Sequence, residues 1–406
     1  MPLTSAQPRE STHPEDAAST AHVPALDGLR GLAIFLVLLT HFMQMRPQTP
    51  LDQLVAATCR FGWVGVDLFF VLSGFLITQI LLDNKNQTNY FRNFYARRIL
   101  RIFPAYYALL VFTFVIVPHS YIGHDENFRP VPSSHVPLYW LYLSNFPLVF
   151  TSDLSNNMLA VTWSLAIEEQ FYLIWPLVVW LFAPAALQRI CFALIFIALI
   201  VRTMLTQMSG VSQMTIYMLT PCRMDALAVG AILAMIIHQR GVAGARALAP
   251  AAKGIALISG ISLIYVAVHS QNLFFADSPQ HTIFYSVIAI FFGCVLLTVR
   301  TSPSGSMTSW LFTRRWLRFL GRYSYAIYLV HLPVRTIVRD FVYPQDRFAS
   351  AFGSALPGQF IFFVLCASLS ILLALMSWHL LEKHFLRLKR YFPVRHMADE
   401  SSVVSN

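Results

Sequence analysis

The stretch LDGLRGLAIFLVLLTHF, residues Leu26–Phe42, is the first long apolar segment of the chain. Its length and its uncharged interior predict a membrane-crossing α-helix. Arg30 and His41 lie eleven residues apart, so on a helix they share one face, about 16 Å apart along the axis. Polar groups in membrane helices usually face the protein interior, which favours a functional role for both. The plainer alternative is an anchor at one membrane surface and a polar residue at the other.

The rest of the chain has the composition of a membrane protein. Of 406 residues, 56% are apolar and only 12% are charged. A water-soluble globular protein does not need so apolar a composition. The net charge of +10 is spread in short basic clusters between apolar runs, a pattern typical of cytoplasmic loops rather than of nucleic-acid binding. The five cysteines are scattered singly, without a disulfide framework or a metal-ligand spacing.

We therefore predict an all-α polytopic membrane protein with ten transmembrane helices and both termini in the cytoplasm. An eleventh apolar run, 138–150, is short and contains Asn145 and Pro147. If it does not cross, 21 of the 29 lysines and arginines fall on the cytoplasmic side, so we expect a re-entrant or interfacial segment. The predicted spans are 29–45, 61–82, 103–118, 162–183, 189–207, 213–238, 254–270, 282–299, 323–343 and 359–381.

The two ends of the chain differ from this membrane domain, which we place at 25–385. Residues 1–24 are rich in small and polar side chains and lack the apolar core of a signal peptide, which predicts a disordered cytoplasmic tail. Residues 386–406 are expected to form a basic cytoplasmic tail without a further soluble domain.

Two spans carry charges that need partners. Asp67 lies in FGWVGVDLFFVLSGFLIT with no basic neighbour in sequence, so it must find a partner or a proton. Arg223 and Asp225 lie in PCRMDALAVG on different helix faces, so each is expected to pair with another helix. We favour a functional role for Asp67.

A basic cluster lies at the predicted cytoplasmic surface. Arg97, Arg98 and Arg101 fall within five residues of FRNFYARRILRIFPAYY. Guanidinium groups bind phosphate oxygens in pairs, so the cluster suits a pyrophosphate or a 3′-phosphate. The alternative is that these arginines only fix topology or contact anionic lipid.

Two helices are expected to carry polar stripes. In VTWSLAIEEQFYLIWP, residues Ser164, Glu168 and Tyr172 recur every fourth position. Such stripes line a polar path, because lipid would reject them. We expect His41, Asp67 and Glu168 in the outer half of the membrane, beyond an inner mouth lined by arginines. The stripe in LGRYSYAIYLVHLPVRTIVRD comprises Ser324, Tyr328, His331, Arg335 and Arg339.

The sequence resembles the integral-membrane acyltransferase family 3, bacterial O-acyltransferases of surface polysaccharides and related acceptors. The resemblance rests on LDGLRGLAIFLVLLTH, GVDLFFVLSGFLIT, ARRILRIFPAYY, WSLAIEEQFYLIWP, CRMDALAVG and GRYSYAIYLVHLPV, in the family's order. It implies that Arg30 and His41 are the family's Arg-x10-His pair, and that Arg98 and Arg101 are its Arg-x-x-Arg pair at the acyl-CoA entrance. It also implies a multi-pass protein of the bacterial inner membrane, here without the esterase-like domain that some members carry.

The resemblance implies acetyl-CoA, or another acyl-CoA, as donor and a carbohydrate or lipid-linked glycan as acceptor, with no metal. His41 would act as general base on the acceptor hydroxyl, and Glu168 or Asp67 would orient its ring. A covalent acyl-His41 or acyl-tyrosine remains open beside direct transfer. The expected phosphate ligands are Arg30, Arg97, Arg98 and Arg101, and the expected substrate or oxyanion residues are Arg223, His331, Ser164 and Tyr328.

Two other functions fit the same pattern. A transporter or flippase for a lipid-linked sugar would also need charged groups within the membrane, although the two halves of the chain show no internal repeat. An O-acyltransferase acting on a small metabolite would need only a different hydroxyl acceptor.

Overall fold

The computed structural model describes residues 23–44, 47–124, 130–151, 158–269 and 280–394. Most of both predicted tails, residues 1–22 and 395–406, lies outside the described residues. The described residues form sixteen α-helices and no strand longer than a single bridge. The helices are α1 Pro24–Phe42, α2 Pro50–Arg60, α3 Gly65–Asn84, α4 Tyr90–Val111, α5 Val136–Trp140, α6 Asn145–Thr151, α7 Thr162–Leu181, α8 Pro184–Gln207, α9 Gln213–Met218, α10 Met224–Arg246, α11 Ala249–His269, α12 Gln280–Thr301, α13 Met307–Phe312, α14 Arg315–Ile337, α15 Leu356–Ser377 and α16 Lys383–Arg387.

Eight helical stretches in the described part of the chain are long and apolar enough to cross a membrane. This confirms the predicted class, an all-α polytopic membrane protein. The other two predicted spans correspond to α7 and α14, which are 20 and 23 residues long but less apolar. The count of ten spans and the side of each terminus stay predictions. The eight stretches are Pro24–Phe42, Pro50–Asn84, Tyr90–His119, Pro184–Gln207, Thr220–Arg246, Ala249–Val266, Thr282–Thr301 and Leu356–Tyr391.

The doubtful run 138–150 is divided between two short helices. α5 has five residues and α6 has seven, separated by Tyr142, whose φ of 55° lies in the left-handed region. A helix must have about 20 residues to cross a bilayer, so neither helix can do so alone. This agrees with the expected re-entrant or interfacial segment.

Helices α1 and α14 pack against each other with almost no side chain between their backbones. A Cβ atom on Gly31 would lie 1.9 Å from the carbonyl oxygen of Leu317, and one on Gly321 would lie 1.8 Å from that of Asp27. Only glycine permits such an approach, as in other small-residue contacts between membrane helices. The contact places the polar stripe of α14 beside α1, the helix that carries Arg30 and His41.

A second group of helices packs around α10. This helix contacts α3, α8 and α12, while α3 also contacts α1 and α7. Helix α3 is thus shared between the two groups, so charges on α10 and α3 can pair across the interior.

Candidate active site

The α1–α14 contact brings two histidines together. The ring centroids of His41 and His331 are 4.9 Å apart, with the planes inclined by 59°. His331 is fully buried, whereas His41 is partly exposed. The sequence indicated His41 by its spacing from Arg30 and His331 by the stripe on α14, but it did not predict that the two rings would meet.

Each histidine is held in one tautomer by a backbone carbonyl of its own helix. Nδ1 of His41 lies 2.9 Å from the carbonyl oxygen of Val37, and Nδ1 of His331 lies 2.7 Å from that of Tyr328. A carbonyl only accepts, so both Nδ1 atoms carry the proton and both Nε2 atoms are acceptors in the neutral rings. The buried Nε2 of His331 has no hydrogen-bond partner among the described residues. His331 can therefore donate to an oxyanion only when it is protonated.

Ser164 and Tyr328 join the two polar stripes. Their hydroxyl oxygens are 2.6 Å apart, and the Ser164 hydroxyl also donates to the carbonyl of Val161 at 3.0 Å. The Tyr328 ring lies 5.5 Å from the His331 ring, centroid to centroid. These hydrogen bonds tie α7 to α14, and they occupy the hydroxyl hydrogens expected to contact substrate or an oxyanion.

Glu168 lies one helical turn from Ser164 and does not contact His41. Its two carboxylate oxygens accept hydrogen bonds from Ser73 at 2.7 Å and from Tyr172 at 3.1 Å. It also interacts electrostatically with Arg98 and Arg30, the residues of the predicted inner mouth. The structure therefore places Glu168 near the arginines. The sequence predicted a position in the outer half of the membrane, beside His41. Its role in the reaction stays a prediction.

Three of the four predicted phosphate ligands come together. Arg30 on α1 interacts electrostatically with Arg98 and Arg101 on α4, and its guanidinium is 3.6 Å from the carboxylate of Asp27. The Arg98 guanidinium lies 5.7 Å from the Tyr172 ring centroid. Arg98 and Arg101 have no hydrogen-bond or ion-pair partner within the described part of the chain, so their donors remain available for an anion.

Arg97 has a different position from the one that its sequence neighbours suggested. Its guanidinium donates to the carbonyl oxygens of Lys389 at 3.3 Å and Phe392 at 3.0 Å. These contacts hold the residues after α16 against α4. They also bring Lys389, which the sequence placed in a basic cytoplasmic tail, among the arginines.

Asp67 and Arg223 form a separate buried pair. The Arg223 guanidinium donates to the Asp67 carboxylate at 2.5 Å, and each side chain is only 1% exposed. Arg223 also lies 4.6 Å from the Tyr285 ring centroid. Neither residue contacts either histidine in the described structure. Asp67 therefore does not lie beside His41, where the sequence predicted it. Their catalytic and oxyanion roles stay predictions.

The expectation that Arg223 and Asp225 pair with other helices is confirmed. Asp225 lies 2.9 Å from the Arg202 guanidinium of α8, and it accepts from the Ser286 hydroxyl at 2.7 Å. Arg202 itself is fully buried. These ion pairs, together with the hydrogen bond from Ser286 of α12, connect α3, α8, α10 and α12.

The site therefore consists of two parts joined by side chains of α7 and α14. At one end are the arginines of α1 and α4, and at the other are His41 and His331. Between them lie Glu168 and Tyr328, which also interact electrostatically with each other. Sequence reasoning missed Ser73, the partner of Glu168, because a serine in an apolar helix has no distinctive spacing.

Comparisons with known proteins identify the family of this chain. A family model described as an acyltransferase domain matches residues 23–378. Similar proteins include the peptidoglycan O-acetyltransferase OatA of Listeria monocytogenes, 31% identical over 79% of this chain and 50% of its own length. The putative peptidoglycan O-acetyltransferase YrhL of Bacillus subtilis is 30% identical over 89% of this chain and 54% of its length. The O-acetyltransferase OatA of Staphylococcus aureus is 27% identical over 80% and 53% respectively.

The chain spans about half the length of these relatives. No solved structure was found to match it. The family model covers most of the chain, which confirms the resemblance inferred from the sequence. This protein therefore belongs to the integral-membrane acyltransferase family.

Proposed function

We propose that this protein is an O-acyltransferase that moves an acetyl group from cytoplasmic acetyl-CoA to a hydroxyl group of a glycan acceptor, in the inner membrane of a bacterium. The observation that carries the proposal is the polar connection between a basic cluster and a pair of histidines. Names of the relatives refer to peptidoglycan O-acetylation, which favours a carbohydrate acceptor over a small metabolite.

The basic cluster suits the nucleotide end of the donor. Arg98 and Arg101 have no hydrogen-bond or ion-pair partner among the described residues, and Arg30 of α1 interacts electrostatically with both. Guanidinium forks match the paired oxygens of phosphate groups. The pantetheine arm would then extend along α1 from Arg30 toward His41, about 16 Å further along the axis.

His41 suits the role of general base. Its Nδ1 proton is committed to the Val37 carbonyl, so its Nε2 lone pair is the group available to an incoming hydroxyl. As that oxygen attacks the thioester carbonyl carbon, Nε2 takes the hydroxyl proton. The carbon–sulfur bond then breaks, and the imidazolium returns the proton to the departing thiolate, so that atoms and charge balance.

The test uses purified protein in nanodiscs with acetyl-CoA and soluble peptidoglycan fragments, with released CoA thiol and acetylated fragments both measured. We expect His41→Ala to lower kcat by about 10²–10⁴, the usual contribution of a general base, with little change in the KM for acetyl-CoA. His238→Ala is the matched control, since that histidine contacts Asp83 at 3.2 Å, away from the site. Full activity in His41→Ala would remove His41 from the mechanism.

The same assay separates transfer from transport. A flippase for a lipid-linked sugar would move its cargo without consuming acetyl-CoA. Wild-type protein that releases no CoA thiol with any glycan would therefore overturn the proposal. Membership of an acyltransferase family favours the transfer reaction.

A further inference from the structure

The residues that follow α16 are folded against α4. We call residues 388–394 the C-terminal segment. Arg97 donates to two of its carbonyl groups, and Asn93 donates to the carbonyl of Pro393 at 2.7 Å. The Arg92 guanidinium lies 5.5 Å from the Phe392 ring centroid. Side chains from two turns of α4 thus hold this short piece of chain.

The docked C-terminal segment adds a fourth cation to the basic cluster. Lys389 interacts electrostatically with Arg30, Arg98 and Arg101, and it is partly buried. Its ammonium group has no hydrogen-bond or ion-pair partner in the residues that the structure describes. Four positive groups from three separate parts of the chain repel one another, although the carboxylates of Asp27 and Glu168 also interact with the arginines. A bound polyanion would reduce the repulsion among the cations.

The position of the cluster favours a ligand that enters the protein over one that stays in the bilayer. The Arg98 guanidinium lies over the rings of Phe94 and Tyr172, at 5.9 Å and 5.7 Å. Tyr172 in turn donates to Glu168, on the side that leads to the histidines. An anion bound at the arginines would therefore lie at one end of the row of polar side chains that leads to the histidines.

We infer that Lys389 binds the phosphate groups of the donor's nucleotide, and that Arg97 is a positioning residue that holds the C-terminal segment in place for this contact. The inference rests on the proposed function, since it names two further residues of the same donor site. It also gives Arg97 a different role from Arg98 and Arg101. An ammonium group binds phosphate as a point charge. It must therefore be held at the correct position, but it does not need the fixed fork geometry of a guanidinium group.

The experiment measures the affinity of CoA by titration calorimetry, with full-length protein in nanodiscs of neutral lipid. A charge-assisted hydrogen bond predicts that Lys389→Ala weakens binding about ten- to hundredfold and raises the KM for acetyl-CoA at constant kcat. Lys389→Arg should retain most of the affinity. The matched control is Arg390→Ala, which removes the same charge from the neighbouring position, where the guanidinium contacts Tyr391 at 2.8 Å.

A double substitution tests the role of Arg97. If Arg97 acts through Lys389, Arg97→Ala weakens CoA binding to a similar extent, and the double variant Arg97→Ala/Lys389→Ala is no weaker than Lys389→Ala alone. Additive losses would show that Arg97 contacts the nucleotide itself and would overturn the positioning role.

Two other results would overturn the inference while leaving the proposed function intact. In the first, CoA affinity falls in Arg98→Ala but is unchanged in Lys389→Ala. In the second, Lys389→Ala keeps its CoA affinity in neutral lipid, and in a second set of nanodiscs that contain phosphatidylglycerol it binds less of this lipid than the wild type, which identifies a lipid headgroup as the anion. Wild-type protein that does not bind CoA at all would be a failure of the proposed function.

Discussion

Replacing either member of the Asp67–Arg223 pair alone should destabilise the protein far more than replacing both. Each side chain is 1% exposed and the pair is joined at 2.5 Å, so a single substitution leaves a buried charge without its counter-ion. Loss of one partner of such a pair costs about 3–5 kcal/mol. The single variants Asp67→Leu and Arg223→Met are therefore each expected to lose that much.

The double variant Asp67→Leu/Arg223→Met should recover nearly all of this loss. Apolar replacement of a complete buried ion pair is often neutral, so its cost should lie near zero instead of the additive value of about 6–10 kcal/mol. Two features favour recovery. The aromatic ring of Tyr285 already lines the site, and one Asp67 oxygen and two Arg223 nitrogens have no hydrogen-bond partner among the described residues.

The assay is unfolding of detergent-solubilised protein by SDS, followed by tryptophan fluorescence. Arg240→Met is the control, because that exposed arginine on α10, the helix that begins directly after Arg223, should change stability by less than about 0.5 kcal/mol. A double variant as unstable as the two single losses combined would refute the pairing. CoA release by the stable double variant would also separate a structural role of Asp67 from a catalytic one.

Two further substitutions test the contacts that form the site. Gly31→Ala should destabilise the protein by about 1–3 kcal/mol, because the added Cβ would lie 1.9 Å from the Leu317 carbonyl oxygen. The control is Gly254→Ala, where the added Cβ would have no atom within 4 Å, so this variant should be neutral or stabilising in the same unfolding assay. Equal effects would contradict the close α1–α14 contact. Tyr328→Phe removes the hydrogen bond to Ser164 and should lower the free energy of unfolding by about 0.5–1.5 kcal/mol, with the affinity for CoA unchanged. A loss of CoA affinity in this variant would contradict the role of Tyr328 as a link between α7 and α14.

Much of the helical framework could be predicted from the sequence, since periodicity and apolar length are local properties. The stripes on α7 and α14 were predicted as single faces, and they meet at Ser164 and Tyr328. The need of Asp67 for a partner was also predictable, because an isolated charge in a membrane is costly.

Which residue meets which could not be predicted, because that depends on helix packing. Glu168 or Asp67 was expected to orient the His41 ring, whereas the glycine contact between α1 and α14 places His331 beside it. The position of Lys389 depends on hydrogen bonds between Arg97 and backbone carbonyl groups, which any residue in the C-terminal segment can offer. Sequence carries no signal for such a contact.

The His41–His331 contact also has a consequence for biosynthesis. One ring belongs to α1, and the other belongs to α14, which is translated almost three hundred residues later. The glycine face of α1 therefore has no α14 to pack against until the intervening helices have been synthesised. Nascent chains that stop before α14 therefore lack both the partner of that face and the paired imidazoles.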